Sequence, residues 1–146
     1  MAHENNEQMY RRLIDEVFNL GHLGVADEII APSCVEHQRG GLGDGPDGAK
    51  RTAKILRSAF PDFTLTIEDL VADGDKIWAR QRGGGTNLGT FFGFPPTGKT
   101  AYIEVYDVVR FENGQMVDHW GVPDQLGMLV QLGHVTLPTR PTPVTA

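Results

Sequence analysis

The chain has 146 residues, 40% of them hydrophobic, and a formal net charge of −6 at pH 7, which fits one folded domain with a hydrophobic core. The basic residues are scattered and no apolar run is long enough to span a bilayer, so we expect neither a nucleic-acid nor a membrane partner. The polar N-terminus is unlike a signal peptide and the lone cysteine, Cys34, cannot form an internal disulfide, so a cytoplasmic setting is expected.

Helical periodicity characterises the first part of the chain. Apolar residues recur every three or four positions over residues 9–17, with Phe18 beside them, and Gly21 is a natural stop. Residues 23–31 predict a second, short helix that Pro32 ends. Both helices present one apolar side, so they are expected to cover another layer of the fold.

A loop and a third helix follow. Residues 34–37 are expected to be extended, and residues 38–45 contain four glycines and predict a loop. Proline suits the first turn of a helix and aspartate its cap, so a third helix is predicted to open at Pro46 and Asp47 and to stop at Pro61.

The period of the pattern changes to two after the third helix. The predicted strands are residues 63–68, 76–82, 86–92, 100–112 and 115–121. Gly83, Gly84 and Gly85 are predicted to interrupt a strand at a bulge or bend, and Asn113-Gly114 is a strong hairpin signal. Asp124 is predicted to cap a short helix ending near Leu132.

This order of elements, helices first and then an antiparallel meander, predicts an α+β fold. We expect a cone-shaped barrel of a strongly curved antiparallel sheet wrapped over N-terminal helices, with a ligand site inside the cone. Residues 1–133 form the predicted domain. Residues 134–146, rich in proline and threonine, are predicted to be an extended tail.

Strand alternation places two polar side chains near this interior. Asp107 shares a strand face with Ile103, Val105 and Val109, so it is the polar member of an aliphatic row. His119 on the returning strand is expected near Val105 or Asp107, depending on the register. A buried carboxyl beside a histidine can keep a proton movable near neutral pH, which general acid/base catalysis requires. Alternatively, the two groups merely satisfy each other in a polar spot of the core.

Other polar residues are weaker candidates. His37 follows an extended stretch and lies at a cavity mouth or on the surface. Arg80 either anchors a substrate carbonyl or carboxylate, or forms an ion pair with Glu68. Asn87 could donate a hydrogen bond to a developing oxyanion. No spacing of histidines, cysteines or carboxylates indicates a metal site.

The ordered short motifs resemble those of the SnoaL-like polyketide cyclases, from Met9 to Gly133. The matching motifs are Phe60-Pro61-Asp62-Phe63, Asp73-Gly74-Asp75-Lys76, Gly85-Thr86 with Gly89, Pro95-Pro96-Thr97-Gly98-Lys99, Asn113-Gly114, Asp118-His119-Trp120, Asp124 and Gln131-Leu132-Gly133. No single motif is specific, but their order and spacing are. The resemblance implies the cone-shaped fold of the nuclear transport factor 2-like superfamily.

The resemblance also implies chemistry without a cofactor, in which an aspartate acts as general acid/base in an intramolecular aldol condensation of a polyketide ester. This sequence departs from the family pattern, since the aspartate position falls on Gly121 and the strand histidine falls on Asp107. The Gly-Thr-His of many relatives reads Gly85-Thr86-Asn87 here. The catalytic carboxyl is therefore predicted to have moved across the strand pair to Asp107.

Three hypotheses follow. The first is a cofactor-free cyclase, isomerase or lyase of secondary metabolism that acts on a small hydrophobic or aromatic carbonyl compound in a closed pocket. The second is a non-catalytic small-molecule-binding protein, and the third an epoxide-hydrolase-like enzyme that adds water. The predicted catalytic residues are Asp107, His119 and His37, and the predicted substrate-binding residues are Arg80, Asn87, Phe91, Phe18, Val105 and Gly121.

The fold also implies self-association through the exposed face of the sheet. Tyr102, Tyr106, Val108 and Trp120 are the residues expected on that face. We therefore expect a homodimer or homotetramer, unless the proline- and threonine-rich tail covers these side chains.

Overall fold

The structure, a computed structural model, describes the backbone of residues 2–143 and the side chains of residues 5–143. The helical segments are α1 (Ala2–Arg12), which continues as a π-helix (Leu13–Asn19), a 3-10 turn (Leu23–Val25), α2 (Ala26–Ile29), α3 (Gly45–Ala59) and α4 (Gln125–Leu132). Within these residues no helix is both long and apolar enough to cross a membrane. Residues 136–143 form neither helix nor strand.

Five strands form one sheet in the order β1-β5-β4-β3-β2. They are β1 (Ile30–Glu36), β2 (Thr64–Asp73), β3 (Lys76–Thr86), β4 (Thr100–Glu112) and β5 (Gln115–Pro123). Strands β2 to β5 form the antiparallel meander that the sequence predicts, while β1 pairs with β5 in parallel. The α+β class is confirmed, and the curved sheet wraps over the helices without closing into a barrel.

The second helix is shorter than predicted. It ends at Ile29, and β1 begins at Ile30 instead of after Pro32. Ile30 pairs with Met116 of β5 and is buried, so pairing with the sheet outweighs the helical pattern of the preceding residues. This early start adds β1 to the edge of the sheet, where it reaches the same region as His119.

The three consecutive glycines do not interrupt their strand, contrary to the prediction. Strand β3 runs through them to Thr86 and stays paired with β4. Gly84 has a φ of +154°, and a Cβ atom there would collide with the carbonyl oxygen of Ala101. Glycine is therefore needed because the β3 and β4 backbones approach closely.

The predicted strand at residues 86–92 is wrong, because most of this segment is a loop. Only Phe91 pairs briefly, with Phe94, and both backbone hydrogen bonds measure 2.9 Å. Asn87 is fully buried and holds the loop together: its Nδ2 donates to the carbonyl oxygen of Gly89 at 2.8 Å, and its Oδ1 accepts from the amide of Thr97 at 3.0 Å. The hydrogen bonds of the Asn87 side chain thus take the place of the backbone hydrogen bonds that a strand would form with its neighbour.

Candidate functional site

The inner face of the curved sheet, the helices and the glycine-rich loop after β1 line a cavity of about 170 Å³. The predicted row of Ile103, Val105, Asp107 and Val109 lines it, so the assignment of strand faces from the sequence is confirmed. Aromatic walls come from other elements, among them Phe18 and Phe91 as predicted. The cavity is largely apolar, which makes its few polar groups the natural anchors for a ligand.

Asp107 is held by donors from two other elements. Its Oδ2 accepts hydrogen bonds from the hydroxyl of Tyr10, at 2.9 Å, and from Nε2 of Gln81, at 2.8 Å. Burial raises the pKa of Tyr10 well above its ordinary value, and the charge of Asp107 adds to the increase. Tyr10 therefore stays protonated and donates, which fixes the orientation of the carboxylate.

His119 lies between two carboxylates. It pairs directly with Val109 across the hairpin, two positions along from the Asp107–Gly121 pair and therefore on the same face of the sheet. Its Nε2 lies 3.2 Å from Oδ1 of Asp107, and its Nδ1 lies 2.8 Å and 2.9 Å from the two carboxylate oxygens of Glu36. The structure therefore brings Asp107 and His119 together as predicted and adds Glu36.

The neighbours of His119 decide its charge. Burial alone lowers the pKa of the imidazole, but the hydrogen bonds and charges of Asp107 and Glu36 outweigh it and raise the pKa to about 10. At neutral pH the ring is an imidazolium, with one N–H directed at each carboxylate. This cation holds the carboxylate of Asp107 in place.

The charge of the lining is unbalanced. Among the described residues that line the cavity, Glu36 and Asp107 are carboxylates, His119 is the partner they share, and none is lysine or arginine. Two carboxylates around one imidazolium leave an excess of one negative charge. No group of three or more His, Cys, Asp or Glu within the described part of the chain is arranged to hold a metal ion.

His37 does not reach the cavity, which corrects its predicted role there. Its ring stacks on Trp120, with 4.6 Å between ring centroids, and its Nε2 lies 2.8 Å from Oδ1 of Asp118. Asp118 and Trp120 alternate with His119 along β5, so they lie on the outer face of the sheet. His37 therefore belongs to the outer surface.

Arg80 and Asn87 are also placed away from the cavity. Arg80 donates to Glu68 at 2.9 Å on the outer face of the sheet, which is the ion pair that the sequence allowed as the alternative. Asn87 is occupied by the loop contacts described above. Neither side chain lines the cavity, so their predicted contacts with substrate are not supported.

Gly121, predicted to bind substrate, does not itself line the cavity, but the direction of its missing Cβ points at the acid/base pair. A Cβ atom at this position would lie 3.0 Å from Oδ1 of Asp107 and 3.0 Å from Cε1 of His119. It would also collide with the amide oxygen of Gln38. Glycine at position 121 therefore leaves a space that the side chain of Gln38 enters.

Several polar residues of the site were not predicted from the sequence. They are Tyr10, Glu36, Gln38 and Gln81. Period-two alternation within residues 34–37 was a usable signal for one of them, because buried Cys34 and Glu36 share a face while His37 takes the other. The others depend on contacts between distant elements.

The family comparison agrees with this architecture. Residues 8–132 match the model of the SnoaL-like polyketide cyclase family, which is most of the chain. The chain belongs to the SnoaL-like polyketide cyclases. The resemblance drawn from its short motifs is thereby confirmed.

Relatives with similar sequences include two methyl ester cyclases. The aklanonic acid methyl ester cyclase DauD of Streptomyces sp. (strain C5) is 26% identical over 132 residues, which cover 86% of this chain and 80% of DauD. The nogalonic acid methyl ester cyclase of Streptomyces nogalater is 29% identical over 122 residues, covering 80% of this chain and 89% of the relative.

Solved structures of SnoaL-like shape superpose over most of the chain. TsrD from Streptomyces laurentii has a TM-score of 0.82 at 26% identity and covers 90% of this chain and 97% of its own. IdmH from Streptomyces antibioticus has a TM-score of 0.76 at 33% identity, with coverage of 88% and 98%. Relatedness to cyclase-type enzymes is thus supported by sequence and by fold.

Proposed function

We propose that this protein is a cofactor-free cyclase that closes a ring in a neutral, polyketide-like carbonyl compound by intramolecular aldol condensation. The observation that carries the proposal is the pair of Asp107 and His119 at the wall of an apolar cavity, joined at 3.2 Å. The relatives that act on methyl esters of polyketide acids support the substrate class.

Asp107 is the proposed general base. It removes a proton from the carbon next to a carbonyl group, and the resulting enolate carbon attacks a ketone carbon of the same molecule. A carbon–carbon bond forms, and the ketone oxygen takes up the proton that Asp107 carried. His119 orients Asp107 for the first step and stabilises negative charge that develops beside it.

The charge of the cavity favours an uncharged substrate. Two carboxylates share one imidazolium, so a substrate carboxylate would add a further negative charge to a largely apolar cavity. A ketone or an ester avoids this repulsion. The proposed substrate is therefore a neutral ester rather than a free acid.

The test is Asp107→Asn, assayed with aklanonic acid methyl ester. The amide oxygen of asparagine can still accept from Tyr10 and Gln81, and His119 keeps Glu36 as a partner, so the variant should be less stable but still folded while the base is lost. We expect kcat to fall by about 10²- to 10⁴-fold, the range for removing a general base.

Glu104→Gln is the matched control, since Glu104 lies on the same strand but on its outer face. It should leave kcat unchanged. Full activity in Asp107→Asn would refute the assignment. Ester binding without conversion by the wild-type protein would favour the binding-protein hypothesis, and oxygen incorporation from labelled water would favour the water-adding enzyme.

We also propose that two or more copies associate through the outer face of the sheet. Large apolar side chains are exposed there, with Trp78 at 57%, Tyr106 at 50% and Trp120 at 37% exposure. These residues lie on three adjacent strands, so they form a continuous surface. Such a patch is typical of a protein interface, and a second copy supplies a face of the same shape.

A further inference from the structure

The position that faces the acid/base pair carries no side chain of its own. Gly121 lies opposite Asp107 in the hairpin, and the direction of its missing Cβ points between Asp107 and His119. The amide oxygen of Gln38 fills this direction instead, with the amide nitrogen attached to the same carbon. Three groups from three different segments therefore converge on one point of the cavity wall.

Gln38 is held in this place by its backbone. Its N–H donates to Oε1 of Glu36 at 2.8 Å, and its carbonyl oxygen accepts from the N–H of Gly41 at 2.9 Å. Glu36 is also the carboxylate that binds His119. One carboxylate thus fixes both the imidazolium and the start of the loop that carries Gln38, so their relative positions are linked.

The side-chain amide of Gln38 does not contribute a hydrogen bond to the described part of the fold. It lines the cavity and makes no hydrogen bond to another described residue. Asp107, in contrast, uses one carboxylate oxygen for Tyr10 and Gln81 and the other for His119. An amide offers both a donor and an acceptor without adding charge, which suits a site that already has an excess of negative charge.

We infer that Gln38 holds a substrate oxygen beside Asp107, and that glycine at position 121 provides the space for it. This inference rests on the proposed cyclase function. The N–H of the amide donates to the carbonyl oxygen whose neighbouring carbon loses the proton. Because that oxygen becomes an enolate oxygen, the hydrogen bond strengthens as the proton leaves.

The experiment is a double-mutant cycle of Gln38→Ala, Gly121→Ala and the combined variant. A methyl group at position 121 displaces the Gln38 amide, so each single variant should lower kcat for aklanonic acid methyl ester by at least tenfold with a smaller change in KM. The combined variant should be no slower than either single variant, because both changes remove the same contact. Arg39→Ala, an exposed neighbour in the same loop, should match the wild type.

Binding provides a readout that does not depend on turnover. Methyl salicylate, a neutral aromatic hydroxy ester, can be titrated by NMR against all four proteins. Loss of one hydrogen bond should weaken its binding about three- to tenfold in both single variants, again without additivity. A purely structural role for Gln38 would instead lower thermal stability without this shared loss.

The outcomes separate the two proposals. If the wild type binds methyl salicylate but does not convert the ester, the cyclase proposal fails and the binding cycle still decides the role of Gln38. Additive losses, unchanged binding in Gln38→Ala, or no binding by the wild type would each overturn the inference. Greater thermal stability of the combined variant than of Gly121→Ala would support the predicted collision.

Discussion

Burying the charged imidazolium of His119 costs desolvation free energy, and the two carboxylates beside it offset this cost. Its side chain is 18% exposed, and each ring nitrogen meets a carboxylate. A buried charge is strongly destabilising when one partner is removed, since the remaining charge loses its compensation. Glu36 and Asp107 therefore act as a unit with His119, in stability as well as in the proposed chemistry.

The stability of the protein should depend on the charge of His119. The pKa of the folded form is about 10, against an ordinary value of 6.5, so folding binds this proton more tightly. The contribution is complete below the ordinary value and is lost as pH rises through about 10. We expect the free energy of unfolding, measured in urea, to decrease over this window more steeply in the wild type than in His119→Gln.

His22→Gln is the control for this measurement, because His22 is exposed in the connection just before the 3-10 turn. It should follow the wild-type pH dependence. Equal slopes for the wild type and His119→Gln would mean that the imidazolium does not stabilise the fold.

At the scale of the elements, helix α4 shows how residues at the ends of a helix determine where it begins and ends. Asp124 precedes α4, and its Oδ1 accepts a hydrogen bond from the N–H of Gly127 at 2.9 Å. Gly133 ends the helix in the left-handed conformation, with a φ of 85°. The cap at Asp124 and the helix end near Leu132 were predicted from the sequence, because such boundaries depend on contacts within one helical turn.

Removal of the cap should destabilise the domain modestly. Asp124→Ala leaves the N–H of Gly127 without its partner and should lower the free energy of unfolding by about 1 kcal/mol. Asp124→Asn keeps an oxygen that can accept and should retain most of the stability. Equal losses in the two variants, measured in urea, would show that the cap does not stabilise α4.

At the scale of the whole molecule, the sheet has two faces of different character. The concave face forms the cavity, while the outer face exposes Trp78, Tyr106 and Trp120. His37 stacks on Trp120 and so extends this outer surface toward the edge strand β1. The histidine that was predicted to be catalytic is thus a candidate for the interface between copies.

Self-association through this face predicts a mass of at least twice that of one chain in light scattering. Tyr106→Glu places a charge in the centre of the patch and should give a monomer. Leu137→Glu changes an equally exposed apolar residue outside the sheet, 52% exposed, and should leave the mass unchanged. A monomeric wild type would exclude this interface.

The sequence determined the class of the fold and the faces of its strands, because period-two alternation and helix caps act over a few neighbouring residues. These local patterns sufficed to place Asp107 and His119 in the interior. They could not place Tyr10 or Glu36, whose hydrogen bonds to Asp107 and His119 join residues 97 and 83 positions apart. Such contacts depend on where the first helix and the parallel edge strand lie across the sheet. Only the tertiary structure decides this, because packing rather than local propensity sets those positions.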